Sequence, residues 1–127
     1  MPNERQKWAP AATLDIANAR LRRVVEVLDA SDRYDIKSVS ASTTVDLTYP
    51  RTLYKVTTSG GSVTMTLPPA RTAVGMRVEF KKMSAANTLT VDAYGSETID
   101  GSATLAWTTQ YVGRSMVSDG TSDWSIV

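Results

Sequence analysis

Polar and apolar residues alternate along most of this chain. Val63, Met65 and Leu67 fall on one side of an extended segment, and Thr64 and Thr66 on the other. Met76, Val78 and Phe80 likewise oppose Arg77, Glu79 and Lys81. Side chains on a strand repeat with period two, so each stretch predicts a strand with one buried and one wet face. Between them stands Pro68-Pro69, which donates no ladder hydrogen bond and ends the first strand. The same reasoning predicts strands over 34–40, 43–48, 53–58, 88–93, 103–108, 111–118 and 123–127, with Leu89, Val91 and Ala93 inward. Gly60-Gly61, between two alternating runs, predicts a tight hairpin joining 53–58 to 63–67. Residues 84–87 are expected to turn the chain back again, and Glu97, Thr98 and Ile99 to lie in a loop. About eight short strands with a turn signal roughly every ten residues imply a mainly β fold. The expected form is an antiparallel β-sandwich or prism-like domain over 31–127. No tandem repeat or low-complexity tract is visible.

A different period governs the N-terminal part. Leu14, Ala17, Leu21, Val24 and Leu28 recur at spacings of 3, 4, 3 and 4, a heptad seam over two repeats. This predicts a short α-helix over 11–30, with Pro10 tolerated at its first turn. Two heptads are too short for a stable free coiled coil. The apolar face therefore either packs on its own domain or bundles with copies of itself. Arg20, Arg22 and Arg23 lie off the seam and read as a solvated or interface-lining face. Ahead of the helix, 1–10 is a polar arm with one large side chain, Trp8. It reads as a frayed terminus or as a docking arm anchored by Trp8, since Trp is enriched at interface hot spots. Residues 1–30 are thus the expected anchor and trimerisation segment, and 31–127 the β domain.

Composition narrows the chemistry. In 127 residues there is no cysteine, hence no disulfide or thiolate metal site, and no histidine, the commonest general base. A net charge of +1 gives no reason to expect nucleic acid as a partner. No run of about 18 apolar residues exists to cross a membrane, and the first residues lack the apolar stretch of a secretory signal. Candidate carboxylates are Glu79, Asp92, Glu97, Asp100, Asp119 and Asp123. No pair of them sits in an apolar setting that would separate two pKa values for acid–base work. Asp100 and Asp119 each precede a glycine, as turn residues do. D-G-T-S-D at 119–123 lacks the twelve-residue calcium pattern. No catalytic residue, cofactor or metal ligand is expected, and an enzyme is disfavoured. Among the aromatics, Trp107 and Trp124 sit on alternating apolar faces and are expected in the core. Tyr94, beside a glycine in a loop, is the expected exposed ligand contact.

Five segments occur in a recognisable order. They are V-T-M-T-L-P-P-A at 63–70, G-M-R-V-E-F-K-K at 75–82, L-T-V-D-A at 89–93, E-T-I-D-G at 97–101 and V-S-D-G-T-S-D-W-S-I-V at 117–127. In these the chain resembles the β-rich terminal modules of tailed-phage fibres, head fibres and related virion surface proteins. The resemblance implies a homotrimeric structural protein on the particle surface. Its β module would be exposed, and its N-terminal segment would meet other virion proteins of the capsid, neck or tail. Without shaft repeats, a compact trimer is expected rather than a long fibre. A host-surface glycan is the alternative partner, met by a receptor-recognition tip.

Overall fold

The computed structural model describes residues 33–127. The helix expected over 11–30 and the arm before it, with Trp8, Leu14, Ala17, Leu21, Val24 and Leu28, lie outside the described residues. The described part is mainly β. Ten strands run in order: β1 (Asp35–Val39), β2 (Thr43–Thr44), β3 (Arg51–Val56), β4 (Val63–Thr66), β5 (Arg77–Lys82), β6 (Leu89–Asp92), β7 (Thr98–Ile99), β8 (Thr104–Trp107), β9 (Gly113–Ser118) and β10 (Asp123–Ile126). A single turn of 3-10 helix, Ala70–Thr72, follows the double proline.

Through β8, successive strands alternate between two sheets. The larger has the order β1-β3-β5-β9-β10-β7 and the smaller β2-β4-β6-β8. Each pass from the larger sheet to the smaller and back makes one coil, and the coils stack in a solenoid-like arrangement. This corrects the antiparallel expectation. Five strand pairings are parallel and three antiparallel, each of the latter involving β8 or β9. The hairpin expected at Gly60-Gly61 is also corrected: β3 and β4 lie in different sheets, and the glycines occupy a corner between them. The same holds for 84–87, between β5 and β6. Period-two alternation reports which face of a strand is buried. It does not report whether the next strand pairs beside it or faces it across the core.

The stack conceals a repeat. Arg77 on β5 lies beside Arg51 on β3, and Leu89 on β6 beside Val63 on β4, so both sheets share one offset of 26 residues. Inward positions change identity across this repeat: Tyr54 becomes Phe80, Val63 becomes Leu89 and Met65 becomes Val91. The identical pairs are Arg51/Arg77, Lys55/Lys81 and Thr64/Thr90, none of them inward. The repeat escapes a reading of the sequence because its buried positions keep at most apolar character, and two outward cations and a threonine are too few to register.

The two inward faces share one core. The larger sheet contributes Tyr54, Val56, Val78, Phe80 and Met116; the smaller contributes Val63, Met65, Leu89, Val91 and Trp107. Leu67, Ala93 and Trp124 are buried with them, so both tryptophans are core residues as expected. Neighbouring coils stack like on like, with the Tyr54 and Phe80 rings 5.8 Å apart at 21°. Alternation also carries Lys82 inside, where its side chain is fully buried. Its ammonium donates to the Ser84 and Ala86 carbonyls, so the buried charge is met by corner dipoles.

Side chains tie the corners of successive coils together. Thr58 donates its hydroxyl to Ala86 O at 2.6 Å, and Asn87 donates its amide to Thr58 O at 2.7 Å. The Ser62 hydroxyl accepts the Thr88 N–H, and the Ser42 hydroxyl accepts the Thr64 N–H. A serine in one corner thus satisfies a backbone donor of the next coil, where strand pairing on that side has stopped. This is one physical use for the abundant serine and threonine of the sequence.

Candidate functional site

Four of the six candidate carboxylates are engaged in closing loops. Asp119 Oδ1 accepts the N–H groups of Thr121, Ser122 and Asp123 at 2.8, 3.1 and 3.1 Å. Those donors, Thr121 foremost and then Asp123, hold its pKa below the usual carboxylate value. The D-G-T-S-D segment is therefore a turn wrapped around its first aspartate. Asp123 Oδ1 accepts the Thr98 hydroxyl at 2.6 Å and the Gly101 N–H at 3.3 Å. Asp100 accepts the Ile126 N–H at 3.2 Å, and Glu97 accepts the Ala70 N–H at 2.8 Å. Among the described residues no group of three or more acidic side chains is arranged to hold a metal ion.

Tyr94 follows β6 and is 48% exposed, its carbonyl accepting the Glu97 N–H. Trp107 and Trp124 are buried in the core, so neither offers an exposed ring for a ligand beside Tyr94. Tyr111 is the more exposed tyrosine, at 60%, and its backbone is left-handed at φ 64. That conformation costs a non-glycine residue about 1 kcal/mol or more. It is held by the Tyr111 N–H donating to Lys82 O, and the ring lies 5.9 Å from the Lys81 ammonium.

Tyr111 borders the outward face of the larger sheet, where strand register gathers a group of charges. On β3 and β5, Arg51 lies opposite Arg77 and Lys55 opposite Lys81. Leu53 lies opposite Glu79, and on the far side of β5 Glu79 lies opposite Ser115 and Lys81 opposite Gly113. Arg77 donates to the Ser115 hydroxyl at 3.0 Å. A side chain begun at Gly113 would put its Cβ 2.9 Å from Glu79 Oε1, so the Glu79 carboxylate leans over that glycine. Both ion pairs among the described residues belong to Lys37, with Asp35 at 3.8 Å and Asp46 at 3.5 Å. Arg51, Lys55, Arg77 and Lys81 have no described carboxylate at that range.

Of the expected site residues, Tyr94 alone falls within the described part, and it is exposed. Alternation places Arg77, Glu79 and Lys81 on a wet face but does not bring Lys55 and Arg51 beside them, because register carries that information. Tyr111 has a detectable signal only in standing just before Val112-Gly113 at the edge of a strand. No protein-family model matches the chain, and no curated protein matches its sequence.

Proposed function

We propose that this chain is a structural protein of a bacteriophage particle. In this reading it is a short trimeric surface component of the head-fibre, decoration, collar or tail-spike kind. Residues 1–30, with Trp8 and the seam Leu14, Ala17, Leu21, Val24 and Leu28, form the anchor and trimer interface, and the β domain is exposed. The observation that carries the reading is the ordered run of five segments between Val63 and Val127. Four of them contain β4, β5, β6 and β7 in turn, and the last contains β10. The commitment of Glu97, Asp100, Asp119 and Asp123 to loop closure favours a structural role over a catalytic one. Among the described residues β1 is an edge strand and Ile36 on it is 61% exposed, which supports association, since an open edge invites pairing or cover. Neither nucleic acid nor membrane enters the proposal.

Native mass spectrometry of the full chain at low micromolar concentration tests the assembly. A trimer is expected; monomer alone overturns it. Deleting residues 1–10 is expected to abolish attachment to particles while leaving the β spectrum by circular dichroism unchanged. Unchanged attachment removes the anchor role. Immunogold labelling of particles then reads the location directly.

A second reading, a receptor-recognition tip that binds a surface glycan, is favoured by the exposure of Tyr94. Loss of glycan-array binding in Tyr94→Ala would support it, and no binding of the wild-type chain to any arrayed glycan would sink it.

A further inference from the structure

We propose that the outward face of the larger sheet, around Lys55, Lys81, Glu79 and Tyr111, binds an acidic polysaccharide through its carboxylated sugars. The inference does not need the chain to be a virion component, and it centres recognition on Tyr111 rather than Tyr94.

The first ground is an electrostatic arrangement that works against the fold. Adjacent strands are about 4.8 Å apart, and like charges directly opposite one another destabilise a sheet. This sheet places Lys55 against Lys81 and Arg51 against Arg77, two like-charge pairs separated by four residues along the strands. No described carboxylate lies within ion-pair distance of any of the four; the ion pairs present belong to Lys37. Packing does not demand these cations, because the core lies on the other side of both strands. They are nevertheless identical across the 26-residue offset, where the buried neighbours are not. An anion laid across the two strands supplies the missing counter-charge.

The second ground is the company these cations keep. The Tyr111 ring is exposed beside Lys81 in a strained backbone, and such strain clusters where a side chain is held for a ligand. A ring face offers a sugar an apolar platform, and the ammonium beside it meets a carboxylate on the same sugar. Glu79, leaning into the space left by Gly113, adds an acceptor for hydroxyl groups.

The same features select among polyanions. Between Tyr34 and Val127 there are eight cationic and eight acidic side chains, so this part has no net charge to draw a dense polyphosphate from a distance. Glu79 stands between the two cation pairs, where it repels closely spaced phosphates and accepts from hydroxyls. One exposed ring suits one sugar; sequence-tolerant single-strand binding uses several rings to stack successive bases. A polymer of spaced carboxylates and many hydroxyls fits this surface.

The test uses the full chain and affinity electrophoresis in gels containing polygalacturonate, hyaluronate, polysialate or neutral dextran. Retardation by at least one of the three acidic polymers, none by dextran, and about tenfold weakening between roughly 50 and 300 mM NaCl are expected. Tyr111→Gly suits a left-handed backbone and should stay folded while binding about fivefold more weakly. Lys55→Glu converts a like-charge pair into an opposite-charge one. It is expected to raise Tm and to abolish binding, a combination that misfolding does not produce. Failure of all three acidic polymers overturns the proposal, as does wild-type affinity in both Tyr111→Gly and Lys55→Glu. Tighter binding of oligothymidylate than of every acidic glycan at equal salt also overturns it, making the face a nucleic-acid surface.

Discussion

Glu97 Oε1 lies 2.8 Å from the Ala70 backbone nitrogen, joining the loop before β7 to the turn after the double proline. The Ala70 carbonyl in turn accepts the Ser118 hydroxyl at 2.6 Å, so three segments distant in sequence meet at one fully buried residue. Glu97→Ala leaves a buried N–H without its partner. An unfolding cost of about 1–3 kcal/mol is expected from urea titration. Glu97→Gln keeps an acceptor oxygen and should cost less. Equal losses in the two variants would show that the hydrogen bond is not what Glu97 contributes.

Lys82 sits among core residues with its ammonium held by two carbonyls of the following corner. Lys82→Met fills similar volume and removes a buried charge, which by itself favours the variant. It also leaves Ser84 O without this donor, while Ala86 O keeps the Thr58 hydroxyl. Hydrogen bonds to a charged group contribute about 1.5–3 kcal/mol, so a net destabilisation of about 1–2 kcal/mol is expected. Hydrogen exchange should rise first at 84–88, because the corner loses its tether before the strands do. A variant as stable and as protected as wild type would reduce Lys82 to a space-filling role.

Asp119 gives the fold a pH dependence of known sign. Backbone donors favour the charged carboxylate in the folded chain and lower its pKa from the ordinary 3.8. A lowered folded-state pKa contributes stability that is present above the unfolded value and is lost as pH falls through the folded one. Urea midpoints of the wild type should therefore drop more steeply below about pH 4 than those of Asp119→Ala. The variant should already be weaker at pH 7. Parallel pH profiles in the two proteins would remove Asp119 as a source of the dependence.

Strands are legible in the sequence where a buried face alternates cleanly. Val63, Met65 and Leu67 are all buried, as are Val78 and Phe80, and Leu89, Val91 and Ala93. What alternation lacks is the identity of the neighbour. Gly60-Gly61 suits a corner between sheets as well as a hairpin, and the choice depends on Thr88 and Asn87, which lie in the next coil. Thr98 and Ile99 form β7 although too short to show a period, because Asp123 and Trp124 pair with them. The charged face is half visible: alternation sets Arg77, Glu79 and Lys81 outward on one strand. Their opposition to Arg51, Leu53 and Lys55 is a consequence of the 26-residue offset, which exists only in the stacked structure.

That offset makes a coil transferable. The corners after β3 and after β5 both span six residues, 57–62 and 83–88, and the strands on either side keep one register. A second copy of 51–76 inserted after Met76 should therefore enter the stack as an added coil, with its Tyr54 stacking between the existing Tyr54 and Phe80 rings. In stacked-repeat folds stability is close to a sum of coil and nearest-neighbour contributions. The longer chain should fold cooperatively and show a larger urea m-value, because m grows with the surface exposed on unfolding. The insertion also lengthens the Arg51/Arg77 and Lys55/Lys81 columns to three like charges each. Added salt screens exposed charges. The lengthened protein should thus gain more stability than wild type when NaCl is raised from about 50 to about 300 mM. An unchanged m-value would mean that the extra coil is excluded from the stack. An equal salt response in the two chains would mean that the cation columns exert no strain on the sheet.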